Sequence, residues 1–457
     1  MRDYILILAV LIGLGATFFN PFSGVLLWTW ISIQNPHEEV YSFARTLQLN
    51  LVTAIVTILV WLLSRERKAP PSAFLVWIML IFLAWATFNS FFAFSPDWSW
   101  PYWDRTWKIF ALGMLITVLA TNAVRIHAII WTVVLSLFYY GVKGGIFTIL
   151  KGGHYDVFGP PHSIIGDNNQ LALALLMSLP LANYLHQQSA NRFVKAGLIG
   201  GMALTLASIV GSYSRGAYLA LGVLAAVWLF RSRRKFLYLS FATVGIFLVV
   251  YFMPQSFWDR LQTIQTADTD ASFQGRLMAW QVAYRYATDH FPFGAGFYGP
   301  QLAQIFNAYF PGETAHAAHS IYFQVLGEHG FIGLFLYLLI IVGAFVKSFA
   351  LIRRARRHPE LEWVGELARM IQLSLVAFCV GGAALSMAYY DVFIICVALL
   401  VSLDELTSVA PHPLALHLPL AFAPNSPQAS QALEPSLSGA PSSIHAPPSM
   451  DSDSRMP

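Results

Sequence analysis

Apolar stretches close to the ~20 residues needed to cross a bilayer recur along almost the whole chain, and that repetition leaves few folds open to it. They fall near residues 46–63, 73–94, 107–121, 126–150, 163–185, 197–212, 216–230, 236–252, 332–352, 368–388 and 389–408, after a first apolar region at 4–33. Hydrophobic residues make up 57% of the chain and charged residues only 11%, against roughly 25% charged in a soluble domain. Backbone polar groups inside lipid must be satisfied within the segment, which favours helices. The expectation is an all-α polytopic integral membrane protein with about 12 transmembrane helices.

The first apolar region runs on through Asn20-Pro21-Phe22 into Val25-Leu26-Leu27-Trp28, where a cleaved signal peptide would turn polar with small residues at the cut. It reads as a retained membrane segment that crosses once, breaks at Asn20-Pro21 and continues as an interfacial or re-entrant piece, since residues 23–33 alone are too short to span. Cys379 and Cys396 both fall inside spans, so neither a disulfide framework nor a thiolate site is supported. A net charge of +4 is too small to argue for nucleic acid.

Basic residues concentrate in three short loops, Arg65-Glu66-Arg67-Lys68, Arg231-Ser232-Arg233-Arg234-Lys235 and Arg353-Arg354-Ala355-Arg356-Arg357. Such loops stay cytoplasmic. Counting spans between them places residues 96–105, 151–161, 211–216 and a long hydrophilic loop, 254–330, on the opposite, external face, which is periplasmic in a Gram-negative cell. Trp98, Trp100, Tyr102, Trp103 and Trp107 gather where a span meets that face, as an aromatic belt does. From 411 to 457 the composition turns to Pro, Ser, Ala and Gln, a mixture that buries too little apolar surface to fold and reads as a disordered cytoplasmic tail.

The external groups are where chemistry is expected. Within the long loop, Leu277, Trp280, Tyr284 and Ala287 recur at helical spacing, which suggests an amphipathic helix over 274–288 lying on the membrane surface. Arg276 stands at its start, and Phe293-Gly294-Ala295-Gly296-Phe297-Tyr298-Gly299 follows as a turn where backbone can approach a ligand closely. Arg215, between two spans with almost no loop, lies at the external interface, where a charge is either functional or snorkels to headgroup phosphates. Two guanidinium forks on one face can hold a pyrophosphate.

His319 reads as a general base, a metal ligand or a polar loop residue. His316 lies three residues before it, yet no HExxH and no Cys ligand accompanies the pair, so zinc is not supported. In a helix running on from His319, Glu328 falls about 180° around from it. That geometry suits helix packing or substrate orientation better than a direct bond.

The stretch from His319 to Gly330, His-Ser-Ile-Tyr-Phe-Gln-Val-Leu-Gly-Glu-His-Gly, entering a span after a long external loop, resembles the signature of the O-antigen ligase and polymerase superfamily. Ser212-Tyr213-Ser214-Arg215-Gly216, Gly275-Arg276 and Pro292-Phe293-Gly294-Ala295-Gly296 match its other recurrent features in order, over roughly residues 160–400. The stretch from Asn20 to Trp30 and Asn35-Pro36-His37 is similar to the N-terminal region of the O-glycosylation ligases associated with exosortase A systems. The resemblance implies an N-terminal membrane region over 1–125 and a ligase-like core over 126–410 that carries the 254–330 loop. It further implies a multi-pass glycosyltransferase of the bacterial cytoplasmic membrane, passing a glycan from undecaprenyl pyrophosphate to a hydroxyl-bearing acceptor on protein, lipid or glycan.

By the same resemblance His319 activates the acceptor hydroxyl and Arg215 and Arg276 engage the pyrophosphate, without metal or cofactor. Glu328, Lys108, Arg105, Asp104 and His316 are further candidates for the same cleft. A polymerase shares the donor chemistry and differs in the acceptor. A lipid-linked glycan flippase would show internal repeats and midplane polar residues, which this chain lacks. An intramembrane protease would need a serine elbow or a zinc motif, and neither is present.

Overall fold

The structure, a computed structural model, describes residues 1–231 and 271–408 and, between them, scattered positions from 240 to 258. The span expected at 236–252 lies largely outside the described residues, as does the tail expected at 411–457. All regular structure among the described residues is helical. Before the long loop come α1 (Arg2–Phe19), α2 (Pro21–Gln34), α3 (Leu49–Leu63), α4 (Phe74–Phe91), α5 (Pro96–Leu119), α6 (Ala123–Leu150), α7 (Asn168–Gln188), α8 (Arg192–Val210) and α9 (Arg215–Arg231). The loop itself holds α10 (Ala271–Asp289) and the short α11 (Ala303–Tyr309), followed by α12 (Ile321–Ala355), α13 (Glu362–Gly382) and α14 (Asp391–Ser408).

By length and composition, six segments among the described residues suffice to cross a bilayer: α1, α4, α6, α8, α12, and α13 with the turn before it (Pro359–Gly382). That number stands against roughly twelve expected from apolar runs alone. The apolar helices α3 and α9 are shorter. Charged residues mark α5, with Asp97, Asp104, Arg105 and Lys108, and α14, with Asp391, Asp404 and Glu405.

Caps set many of the boundaries. The Asn20 side chain accepts from Phe22 N at 3.0 Å with Pro21 at the first helical position, so one helix stops and the next starts within a residue. Asn122, Asp167 and Asn191 cap α6, α7 and α8 in the same way. The break at Asn20-Pro21 falls where expected, and of the two readings of the second piece, interfacial or re-entrant, that piece is closer in its packing to the re-entrant one. It turns back on the first, position 13 facing Leu27 and position 24 facing Thr17, and it buries Val25, Trp28 and Ile31. Elsewhere close approach depends on small residues: a Cβ at Gly145 of α6 would lie 2.0 Å from the Leu204 carbonyl oxygen of α8, the packing mode that substitutes for a hydrophobic drive inside lipid.

The two ends of the bundle differ in chemistry. At one, Arg67 binds Glu405 at 2.7 Å, Arg125 binds Glu66 at 2.6 Å, and Lys347 and Arg354 both reach Asp404, at 2.6 and 3.2 Å. Two of the three basic loops, 65–68 and 353–357, therefore gather around the C-terminus of α14. The start of α14 points to the other end, where the long loop sits.

There α10 occupies the stretch where a surface helix was expected. It packs into the protein instead: Ala279, Val282, Ala283 and Ala287 are buried, while Tyr284 is exposed. A Cβ at Gly327 of α12 would lie 3.0 Å from the Ala283 Cβ, so the two helices touch almost backbone to backbone. The buried stripe is offset from the expected one: it keeps Ala287, adds Ala279, Val282, Ala283 and Tyr286, and leaves Tyr284 outside. At Gly330 α12 breaks, with φ 68°, into a short upper piece held by the loop and a longer lower piece.

Candidate functional site

His319 sits just before α12 with its backbone in the left-handed region, φ 42°, a conformation that costs a non-glycine residue about 1–3 kcal/mol and persists only where surroundings impose it. The surroundings are clear. Ala318 and Ser320 on either side are buried, Trp280 donates to the Ala318 carbonyl at 2.6 Å, and His319 N–H donates to Ser386 Oγ at 2.9 Å. The backbone is thus pinned from α10 and from the connection between α13 and α14, while the ring is left accessible to solvent.

The charges around that ring work in opposite directions. Much of the side chain is enclosed even though its edge is open, and this partial desolvation, with the positive Arg276 next in size, lowers the His319 pKa from its ordinary 6.5. Asp167 pulls the other way and His316 adds to the lowering. The ring is therefore neutral at neutral pH, the form that accepts a proton.

Arg276 lies in the second turn of α10. Its predecessor Gly275 lies flat on the His316 ring, three atoms of which would stand 3.0 Å from a Cβ placed there. His316 also meets Phe306 edge to face at 5.9 Å, so it seats the start of α10.

Arg215 opens α9 directly after the buried turn of Gly211 to Ser214. The next residue, Gly216, faces Ala384, whose Cβ would lie 3.6 Å from one added there. Ala384 belongs to the same connection that supplies Ser386 to His319. The start of α7 adds a second tie: Asn168 Nδ2 donates to Ser212 O at 2.8 Å, and Gln170 Nε2 donates to Ser386 O at 3.3 Å. Arg215, Arg276 and His319, far apart in sequence, are thus attached to one framework.

Glu328 is buried and fully engaged. Oε1 accepts from Tyr298 N at 3.1 Å and from Gln324 Nε2 at 3.4 Å, and Oε2 accepts from Tyr389 OH at 2.7 Å. No bond joins it to His319. Its backbone binds the glycine turn: Gly296 N donates to Glu328 O at 3.0 Å and Ala295 N to Gly327 O at 2.8 Å. A Cβ at Gly294 would lie 2.4 Å from the Glu328 carbonyl carbon, so the turn serves close approach of backbone to backbone. Tyr298, held by Glu328, is stacked between Trp98 and Tyr102 of α5 at 4.8 and 5.2 Å. Part of the expected aromatic belt therefore has a partner inside the protein.

The remaining candidates lie apart from this framework. Lys108 pairs with Asp104 at 2.6 Å, and Arg105, also on α5, lies within electrostatic reach of Asp391, which accepts from Ser32 Oγ. His329 is buried against Phe297, Phe82 and Tyr389, and neither of its ring nitrogens has a hydrogen-bond partner. Among the described residues no three His, Cys, Asp or Glu side chains gather as metal ligands would.

Asn89, Asp167, Ser386 and Tyr389 escaped the reading of the sequence. A signal existed for three of them: the polar run Asp167-Asn168-Asn169-Gln170 opens an apolar helix, and the stretch from Ser386 to Asp391, which includes Tyr389, interrupts two apolar stretches. Asn89, a lone polar residue in an apolar run, offered none.

Residues 200–338, which hold Arg215, Arg276 and His319, match the family model described as O-Antigen ligase. Over that stretch, less than half of its length, the chain is similar to the O-antigen ligases. This supports a ligase- or polymerase-type membrane enzyme of the O-antigen ligase and polymerase superfamily, and with it glycosyl transfer as the class of reaction. Residues 1–190 match a family of unknown function (DUF5935), and that region supplies Asn89, Asp167 and the α5 aromatics. No curated protein matches the chain.

Proposed function

We propose that the protein transfers a glycan from undecaprenyl pyrophosphate to an acceptor hydroxyl on the periplasmic face of the bacterial cytoplasmic membrane. The observation that carries the reading is the exposed imidazole of His319, whose backbone is held by Ser386 on the framework that also holds the start of α9 and Arg215.

In the reaction the acceptor oxygen attacks the anomeric carbon while its proton passes to His319. The bond from that carbon to the pyrophosphate oxygen breaks, and its electron pair leaves with the pyrophosphate. The negative charge developed there is met by the guanidinium groups of Arg215 and Arg276. The N-terminus of α9, with its outward N–H groups and positive dipole end, favours the same anion. The neighbouring glycines serve packing: Gly275 lets α10 lie on His316, and Gly216 lets α9 approach Ala384.

The narrower assignment, to O-glycosylation ligases associated with exosortase A systems, rests on the N-terminal residues Asn20 to Trp30 and Asn35-Pro36-His37. The decisive experiment replaces His319 by Ala in membrane-inserted protein and follows radiolabelled glycan from undecaprenyl pyrophosphate into native cell-envelope material. Transfer lost with donor binding retained is expected. Undiminished transfer removes His319 from the chemistry and overturns the mechanism. Product that lengthens a lipid-linked chain, with none attached to a final acceptor, makes the enzyme a polymerase.

A further inference from the structure

We infer that a narrow cleft beside His319 is a subsite for a neutral, hydroxyl-bearing sugar, distinct from the cationic site that takes the phosphates. The inference rests on the proposed glycosyl transfer and adds to it the place where the carbohydrate is gripped.

Position comes first. The cleft is bounded by Ala318, which precedes His319, and by Ala279, which follows Arg276 by one turn of α10, ~5 Å along the axis. It therefore opens next to both the expected base and one expected phosphate ligand.

Its chemistry is neutral. Pro300 and Ala279 form an apolar floor, and Phe323, stacked on Trp280 at 4.9 Å, forms one wall. The polar contributors are the amide of Gln301 and the ring of His316; the Gln324 amide also borders the cleft, but it is held by Glu328 and by the Ala388 N–H. Glu328 also borders the cleft, but both of its oxygens are taken by Tyr298, Gln324 and Tyr389. Among the described residues no guanidinium or ammonium lines it, so none of them selects a phosphate there.

Amides and imidazole offer both donors and acceptors, which matches a hydroxyl's own dual character. An apolar floor with a few convergent polar groups is how small-molecule sites fix orientation. Among the described residues the Gln301 side chain makes no hydrogen bond, although it is half-buried. The cleft has room for about a single water-sized group, so it admits one hydroxyl or hydroxymethyl while the rest of the ring lies across its mouth.

The sugar could belong to the donor glycan or to a glycan acceptor, and one experiment separates the two. Full-length protein in nanodiscs, wild type and the Gln301→Ala and Gln301→Leu variants, would be titrated with three probes. These are undecaprenyl pyrophosphate without glycan, the lipid-linked glycan extracted from the native envelope, and the native acceptor fraction in the transfer assay. Binding of the bare lipid reports folding and should stay unchanged in both variants.

Binding of the glycan-bearing lipid weakened about tenfold, the loss of one or two hydrogen bonds, identifies the donor sugar as occupant. Unchanged donor binding with an acceptor KM raised about tenfold identifies the acceptor sugar. Variants equal to wild type toward every probe overturn the subsite while leaving the transfer reaction intact. Wild-type protein that binds neither lipid overturns both.

Discussion

The side-chain amide of Asn89, on α4, donates to the backbone carbonyl of Glu328, 239 positions later, at 2.7 Å. Its oxygen accepts from Gly294 N at 3.0 Å. One buried residue of the N-terminal region therefore satisfies one backbone group of the loop turn and one of α12. Asn89→Leu leaves the Gly294 N–H without a partner, at about 1–3 kcal/mol, while the Glu328 carbonyl keeps only the Gly296 N–H. Thermal unfolding in detergent should move down clearly. A midpoint equal to wild type would show that these bonds do not hold the turn.

The pH dependence of turnover should carry the signature of His319. Its lowered pKa places the acid limb of the profile below the ordinary histidine value of 6.5. Removing a positive neighbour favours the imidazolium, so Arg276→Gln raises the His319 pKa and moves the acid limb to higher pH. Asp167→Asn removes a negative neighbour and moves it to lower pH. A pair of variants whose limbs coincide with wild type would separate the pH dependence from this ring.

Ser386→Ala removes the acceptor of the His319 N–H and with it one restraint on a left-handed residue. Turnover should fall about tenfold, roughly the 1.4 kcal/mol of one positioned hydrogen bond, with donor binding unchanged. Ser386→Thr keeps the hydroxyl and should recover most of the loss. Equal activity in the Ala and Thr variants would assign Ser386 to packing alone.

Gly294→Ala puts a methyl group 2.4 Å from the Glu328 backbone, where atoms of the main chain cannot step aside cheaply. The turn must open, and the stacking of Tyr298 between Trp98 and Tyr102 should loosen with it. Tryptophan emission of membrane-inserted protein reads this directly, and an unaltered spectrum with full activity would refute the close approach.

How much of this was legible in the residues follows from the range of each interaction. The apolar runs declare helices because their signal is local, and His319, Arg215 and Arg276 stood out because charge and imidazole are rare in such a chain. Of the apolar face read for α10, Ala287 is buried, Leu277 and Trp280 are half-buried and Tyr284 is exposed, because the buried stripe runs through Ala279, Val282, Ala283 and Tyr286. Asn89 was invisible for a different reason. Its two partners are main-chain groups about two hundred positions away, and main-chain groups leave no trace in residue identity.

The break at Gly330 divides α12 into nine residues above and 25 below, counting from Ile321 to His329 and from Phe331 to Ala355. The lower piece alone spans ~37 Å, more than the ~30 Å hydrocarbon layer. The upper piece is fastened to the glycine turn through Gly327 and Glu328. The imidazole of His319, two residues before α12, thus belongs with the piece that the loop holds and not with the piece long enough to cross the bilayer.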